Sequence, residues 1–413
     1  MNPRRRLLPM EAGLLVAMMM GVVCTVAGAR EPTTRERFQA ELDSLHSRYG
    51  FPGATAAYVL PDGTVEGFAV GLDEIERGIP MQPDSRMLAA SIGKTFVGAT
   101  VLALAQEGLL TLDDPVAKWL GDRPWFERLP NHDSTSLWHL LHHSSGIPNH
   151  VESEEFARAF NERWKFPEDP FTAEELIAFV LDQPPLFAAG ESWHYTDTGY
   201  LLLGLVIESA AGNPWRDEVA RRFLKPIGLT RTQASDRVDL PGLAAGYMSE
   251  DNPFGLPPKT TSANGRMVWN PGIEGAGGGF VSNPRDLVVW GRTLYEGRAM
   301  DGDYLEEVLT SVPVGGEDSR TSYGISVAIH ADGPLGPTYG HGGWIPGYTS
   351  SLRYYPDLRI GVAFQINTDI GTVDGSTQLV PEMERGLAEI VAAASGRWRT
   401  TPRSEDRPER NRR

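Results

Sequence analysis

Apolar side chains between residues 33 and 49 recur at Phe38, Leu42 and Leu45, and Gly50 with Pro52 closes the stretch. A spacing of three to four positions predicts a helix with one buried face. Two apolar runs follow at 54–60 and 64–70, on either side of Pro61-Asp62-Gly63. These predict a pair of antiparallel strands joined by a tight turn. Residues 91–107 are apolar on nearly every side, through Phe96, Val97, Val101, Leu102 and Leu104. That pattern predicts a helix enclosed by the core rather than lying on its surface. Gly108 supplies a stop, and Asp113 or Asp114 followed by Pro115 supplies a cap and a first position for a short helix reaching Leu120.

From 134 to about 272 the pattern is helical, at 137–142, 172–181, 198–211 and 215–224, and is broken by proline and glycine. After Gly275 it gives one helix at 284–295, strand-like runs at 323–329, 348–355 and 360–367, and a closing helix at 378–394. Strands at both ends bracket helices, which predicts an α+β fold: one antiparallel sheet assembled from both ends of the chain and flanked by helices. The sheet lobe spans about 30–90 and 273–396. The helical lobe of about 91–272 is inserted between its halves, with a cleft where the lobes meet.

The chain has 413 residues, 41% of them hydrophobic, enough for a large core. Its first 29 residues read as a secretory signal: Arg4, Arg5 and Arg6, an apolar run from Leu14 to Val26, then Ala27-Gly28-Ala29. Secretion or export to a periplasm is the expectation. An uncleaved anchor is the alternative and the one route to a membrane; lipidation at Cys24 fits less well, because Val23 stands where a small residue is needed. Cys24 is the only cysteine, so cleavage leaves a domain of residues 30–396 with no disulfide and no thiol nucleophile. A net charge of −16 disfavours nucleic acid as a partner. Residues 397–413 are rich in arginine, proline and glutamate without apolar periodicity, and are expected to be a disordered tail, with surface or wall binding as the alternative.

Candidate chemistry begins at Ser91-Ile92-Gly93-Lys94. If Ser91 opens the buried helix, Lys94 stands three residues on and on the same face, so hydroxyl and amine can touch. A serine needs a neighbouring base before it is a good nucleophile, and this pair suits acyl transfer. The spacing alone fits a solvated polar pair equally well. Tyr195-Thr196-Asp197 lies just before another apolar helix, and a phenol can act as a base if a cation such as Lys94 stabilises its phenolate. His341-Gly342-Gly343-Trp344 sits among strand-like runs, where two glycines let a ligand approach the backbone. Lys259-Thr260-Thr261 begins like a Lys-Thr-Gly strand but lacks the glycine and follows two prolines, so it is set aside.

Together these segments resemble the penicillin-recognising serine hydrolases, the family that joins class C β-lactamases, D,D-carboxypeptidases, D-amino-acid peptidases and related esterases. Ser91 and Lys94 match its Ser-x-x-Lys, Tyr195 and Asp197 its Tyr-x-Asn, and His341 to Gly343 its His/Lys-x-Gly strand. Residues 140–146, 112–115 and 277–282 add supporting text, and the likeness runs from about Phe38 to Ala394. The resemblance implies a β-lactamase/transpeptidase-like fold and a serine acyl-enzyme formed without metal or cofactor. Tyr195 and Lys94 would share the general-base work, and the backbone N–H groups of Ser91 and Trp344 would hold the oxyanion. His341 would orient Tyr195 or meet a substrate carboxylate. Substrates would be small molecules or peptides, cell-wall peptides included.

Asp197 departs from the family's asparagine. A carboxylate only accepts hydrogen bonds, so it should hold Lys94 as ammonium and cannot donate to an acylamino carbonyl. This favours a substrate with a free amino group, or an ester needing no such contact. The leading reading is a hydrolase of small amides, peptides or esters, with a β-lactamase or D,D-carboxypeptidase proper as its rival. A non-catalytic penicillin sensor is disfavoured by the intact Ser91, Lys94 and Tyr195. A zinc hydrolase built on His139, His142, His143 and His150 lacks a recognisable ligand spacing, and no Gly-x-Ser-x-Gly elbow supports an α/β-hydrolase.

Overall fold

The computed structural model describes residues 30–316, 319–372 and 375–398. The expected signal, Cys24 and nearly all of the expected tail lie outside the described residues.

The chain first forms the helix Thr34–Tyr49, and its ends show why it starts and stops there. Thr33 and Glu36 make a reciprocal capping box, and Gly50 terminates the helix in the left-handed conformation at φ 67°. Next come β1 (Gly53–Val59), β2 (Val65–Glu74), β3 (Ile79–Pro80) and β4 (Met87–Leu88). The interior of the chain adds β5 (Gln233–Ala234) and β6 (Phe280–Ser282). The C-terminal part supplies β7 (Val312–Pro313), β8 (Thr321–Tyr323), β9 (Ala328–His330), β10 (Thr338–Ile345), β11 (Tyr348–Tyr355) and β12 (Ile360–Ile366).

Nine of these strands form one antiparallel sheet in the order β3-β2-β1-β12-β11-β10-β9-β8-β7. The first and last parts of the chain meet where β1 pairs with β12, with Ala57 opposite Ala363. Every residue of β1 and β12 is buried, because the helices Thr34–Tyr49 and Leu379–Ala394 cover one face and Pro284–Tyr295 covers the other. A strand covered on both faces reads as a continuous apolar run, which is how 54–60 reads. Gly291 permits the close packing of Pro284–Tyr295 on the sheet: a Cβ there would sit 2.9 Å from a Leu352 methyl.

Two expectations change in detail. The run 323–329 is not one strand but a hairpin: Gly324 N–H donates to Val327 O at 2.9 Å, and Ser326 adopts a positive φ of 58°. Asp114 does not cap the short helix Ala117–Leu120 but accepts from Thr111 N–H and from Lys118 at 2.7 Å.

The helix Lys94–Gln106 is buried from its first residue through Leu104. It packs against Asp197–Ala211, itself buried at Leu201, Leu202, Leu203 and Val206. A second, small sheet in the order β4-β6-β5 holds the approach to residue 91: Leu88 pairs with Val281, and Ala89 N–H donates to Phe280 O at 2.8 Å. Among the described residues no helix is long and apolar enough to cross a membrane.

Candidate active site

Ser91 lies in a single 3-10 turn, Ala90–Gly93, that runs directly into the helix Lys94–Gln106. The preceding Ala90 takes a left-handed φ of 50°, a conformation an alanine adopts only when its surroundings impose it. Those surroundings are specific. Ser350 Oγ donates to Ala89 O at 2.8 Å, Gln365 Nε2 lies 3.2 Å from Met87 O, and β6 holds Ala89 from the other side. Gly93 and Gly278 meet backbone to backbone, since a Cβ on Gly93 would lie 2.8 Å from Gly278 O.

Lys94 is wholly buried and its ammonium is fully committed. Nζ donates to Ser91 Oγ at 3.1 Å, to Asp197 Oδ1 at 2.5 Å and to the carbonyl of Gly277. Three donors meet three acceptors. Burial alone would pull this ammonium down, but Asp197 and Tyr195 outweigh it and hold Lys94 protonated, above its ordinary value.

Tyr195 and Asp197 stand at the entrance of the helix Asp197–Ala211. Their turn is pinned by the loop 143–149: Thr196 N–H donates to His143 Nδ1 at 3.2 Å, Thr196 Oγ1 to Pro148 O at 3.1 Å, and Asp197 N–H to Asn149 Oδ1 at 3.2 Å. Lys94 Nζ lies 4.9 Å from the centre of the Tyr195 ring. The buried Tyr195 hydroxyl has no well-formed hydrogen bond, although Lys94 and Ser91 are near enough to influence it. Burial pushes this phenol up to about 12, and the neighbouring ammonium only partly offsets that. The resting pair is therefore phenol and ammonium, not the phenolate that a cation alone would favour.

His341, Gly343 and Trp344 come from β10. This strand pairs with β11 along its length but with β9 only from Thr338 to Gly340, so from His341 onward one edge is left open beside the Ser91 turn. Gly343 allows that approach: a Cβ would lie 2.3 Å from Ala89 O and 2.2 Å from Ser350 Oγ. The structure gives the His341 ring a different partner from the one expected. Nδ1 donates to Gly342 O, so Nε2 accepts from the Tyr323 hydroxyl at 2.9 Å, while the Tyr195 ring is 6.2 Å away between centroids. Burial, helped by Lys94, lowers His341 to about 3. It is neutral and brings no positive charge to a substrate carboxylate.

Ser91, Asp197, Phe156, Trp269, Glu274 and Trp344 line a cavity of about 100 Å³ at this point. Four residues of the site have roles that the sequence does not announce, His143 among them, which reads there only as a candidate zinc ligand. Tyr323, His143 and Asn149 act through partners far away in sequence; Glu274 is one carboxylate among glycines. Lys259 lies elsewhere, bound to Glu74 at 2.7 Å and Glu76 at 2.8 Å. Among the described residues no group of three or more His, Cys, Asp or Glu is arranged to hold a metal.

A buried lysine on a serine hydroxyl, set between an open strand edge and a helix entrance, defines a serine hydrolase working through an acyl-enzyme. The chain belongs to the Beta-lactamase family, whose model matches residues 35–380. It is similar to penicillin-binding protein 4 of Amycolatopsis lactamdurans, at 26% identity over 83% of this chain and 87% of that one. Among solved structures it is similar to a D-stereospecific amidohydrolase from Streptomyces sp., at 27% identity and a TM-score of 0.70, covering 85% of this chain and 98% of the other. It is also similar to the D-amino acid amidase of Ochrobactrum anthropi SV3 complexed with D-phenylalanine, at 25% identity and a TM-score of 0.72, covering 87% and 99%.

Proposed function

We propose that the protein is a secreted or periplasmic hydrolase of small amides, peptides or esters, with an acyl donor that does not rely on an acylamino side chain. The observation that supports this most is Asp197 on the Lys94 ammonium, where an asparagine would offer a donor. The carboxylate holds the lysine charged and leaves the substrate no N–H at that position.

In this reading Ser91 Oγ forms an ester bond to the substrate carbonyl carbon. Its proton passes through the Tyr195 and Lys94 pair to the departing amine or alcohol, and water then cleaves the ester to free Ser91. Because the resting pair is ammonium and phenol, Tyr195 takes the serine proton only as it hands its own to the departing amine or alcohol, and the adjacent Lys94 charge stabilises the phenolate character of its oxygen during that relay. The N–H groups of Ser91 and Trp344 would face the oxyanion from the helix turn and the open edge of β10. Export rests on the N-terminal pattern of arginines, apolar run and small residues.

Amidase relatives favour the amide reading, and a penicillin-binding relative favours the alternative of β-lactam or D-alanyl-D-alanine substrates. A panel of nitrocefin, D-alanyl-D-alanine peptides, amino-acid amides and short-chain esters, run on wild type and Ser91→Ala, tests the two. Amide or ester turnover above that of nitrocefin, lost in Ser91→Ala, is expected. Preference for nitrocefin, or turnover that survives Ser91→Ala, contradicts the proposal.

A further inference from the structure

Glu274 sits in the 3-10 segment Pro271–Gly277 and lines the same cavity as Ser91 and Asp197. Its Oε1 comes close to the Gly278 backbone beside Ala90, since a Cβ on Gly278 would lie 2.7 Å from both Oε1 and the Ala90 carbonyl carbon. Its Oε2 is closed off from water and has no hydrogen-bond partner among the described residues. Lys94 is not that partner, because its three protons are taken by Ser91, Asp197 and Gly277. The charges of Lys94 and Asp197 cancel, and among the described residues that line the cavity no Lys or Arg is left to offset an ionised Glu274. A buried carboxylate in that position either keeps a proton or takes up a cation. Around it the cavity is apolar and aromatic, through Phe156, Phe160, Phe254, Trp269 and Trp344.

We propose that Glu274 is the specificity residue for a protonated amino group on the acyl part of the substrate, with the aromatic wall taking an apolar side chain on the same carbon. The substrate class is then an amide or ester of an amino acid with a free amino group and an apolar side chain. The proposal rests on the reading of the site as an amide or ester hydrolase and names which acyl donors it selects.

The protonation state of Glu274 fits this role. Burial, reinforced by Asp197 and opposed by Lys94, pushes the Glu274 carboxyl up to about 8. Besides Asp197, which is paired with Lys94, the cavity wall carries His150, and burial holds that imidazole neutral at about 4. Entry of an ammonium group would then displace a proton from Glu274, so binding releases a proton near neutral pH.

Binding to the Ser91→Ala protein tests the proposal without turnover, so it stands apart from whether Ser91 is the nucleophile. Phenylalanine amide and N-acetyl-phenylalanine amide, each as D and L forms, are titrated calorimetrically at pH 6.5 in buffers of different ionisation enthalpy. The free amine is expected to bind at least tenfold more tightly than its acetylated form and to release a proton. Ser91→Ala combined with Glu274→Gln is expected to lose both the preference and the proton release, with circular dichroism confirming that it is folded. Equal or absent binding of the two ligands, or a preference that survives Glu274→Gln, overturns the proposal. Failure of the hydrolase reading shows elsewhere, as turnover that persists in Ser91→Ala.

Discussion

Lys94 Nζ lies 2.5 Å from Asp197 Oδ1, and with Ser91 Oγ and the Gly277 carbonyl this carboxylate takes every proton of the ammonium. The lysine is thereby fixed as a charge rather than a base, and Asp197 is the residue that fixes it.

Asp197→Asn keeps an oxygen for Lys94, removes the negative charge and restores an N–H donor. The ratio of kcat/KM on penicillins and cephalosporins to that on esters is expected to rise about two- to tenfold, the worth of one ordinary hydrogen bond. A ratio that stays level or falls contradicts the role given to this carboxylate.

Gly342 and Gly343 are adjacent in β10 but differ in their surroundings. A Cβ on Gly343 would strike Ala89 O at 2.3 Å, whereas on Gly342 the nearest atom is Ser350 O at 3.9 Å. Gly343→Ala should push β10 off the Ser91 turn, lowering the unfolding temperature and reducing kcat by about 10²-fold, the scale of an ångström-sized misplacement. Gly342→Ala should leave the unfolding temperature near that of wild type. Equal effects of the two on thermal unfolding would count against the packing described.

The Tyr323 hydroxyl is the donor that holds His341. Tyr323→Phe should cost about 1 kcal/mol of stability, as for a typical buried hydrogen bond. His341→Gln combined with Tyr323→Phe should cost clearly less than the two single changes summed, because they remove the same contact. Additive losses in denaturant unfolding would show that the two residues act independently.

Two buried groups give the stability curve opposite slopes. Burial depresses His150 from 6.5 to about 4, so its contribution is complete above pH 6.5 and is lost as the pH falls towards 4. Glu274 is raised from 4.5 to about 8, so its contribution is complete below pH 4.5 and is lost as the pH rises through 8. His150→Gln should flatten the acid-side fall in unfolding temperature, and Glu274→Gln the fall between pH 6.5 and 8. Unchanged slopes would mean that neither group is titrating as its burial implies.

Local and periodic signals made most of the fold readable in the sequence. Thr33, Glu36 and Gly50 mark both ends of the first helix through contacts a few residues long, and the apolar run after Ser91 announces a buried helix. Features made by distant partners were hidden. The short strands β4, β5 and β6 are too brief to show a period, yet they hold the turn at Ala90. The site divided along the same line. Ser91 and Lys94 are three residues apart and could be paired on sight, whereas Tyr323 meets His341 across a hairpin that reads as a single strand. Glu274 had no legible partner, because its Oε2 has none among the described residues.

In the proposed reaction the acyl group is carried covalently on Ser91. Purified protein treated with a fluorophosphonate probe and analysed by intact mass and peptide mapping tests it most directly. Stoichiometric labelling on the peptide that carries Ser91 is predicted, with matching loss of esterase activity, no label on Ser91→Ala and no effect of chelators. Full activity with Ser91 unlabelled, or activity abolished by a chelator, would contradict the account.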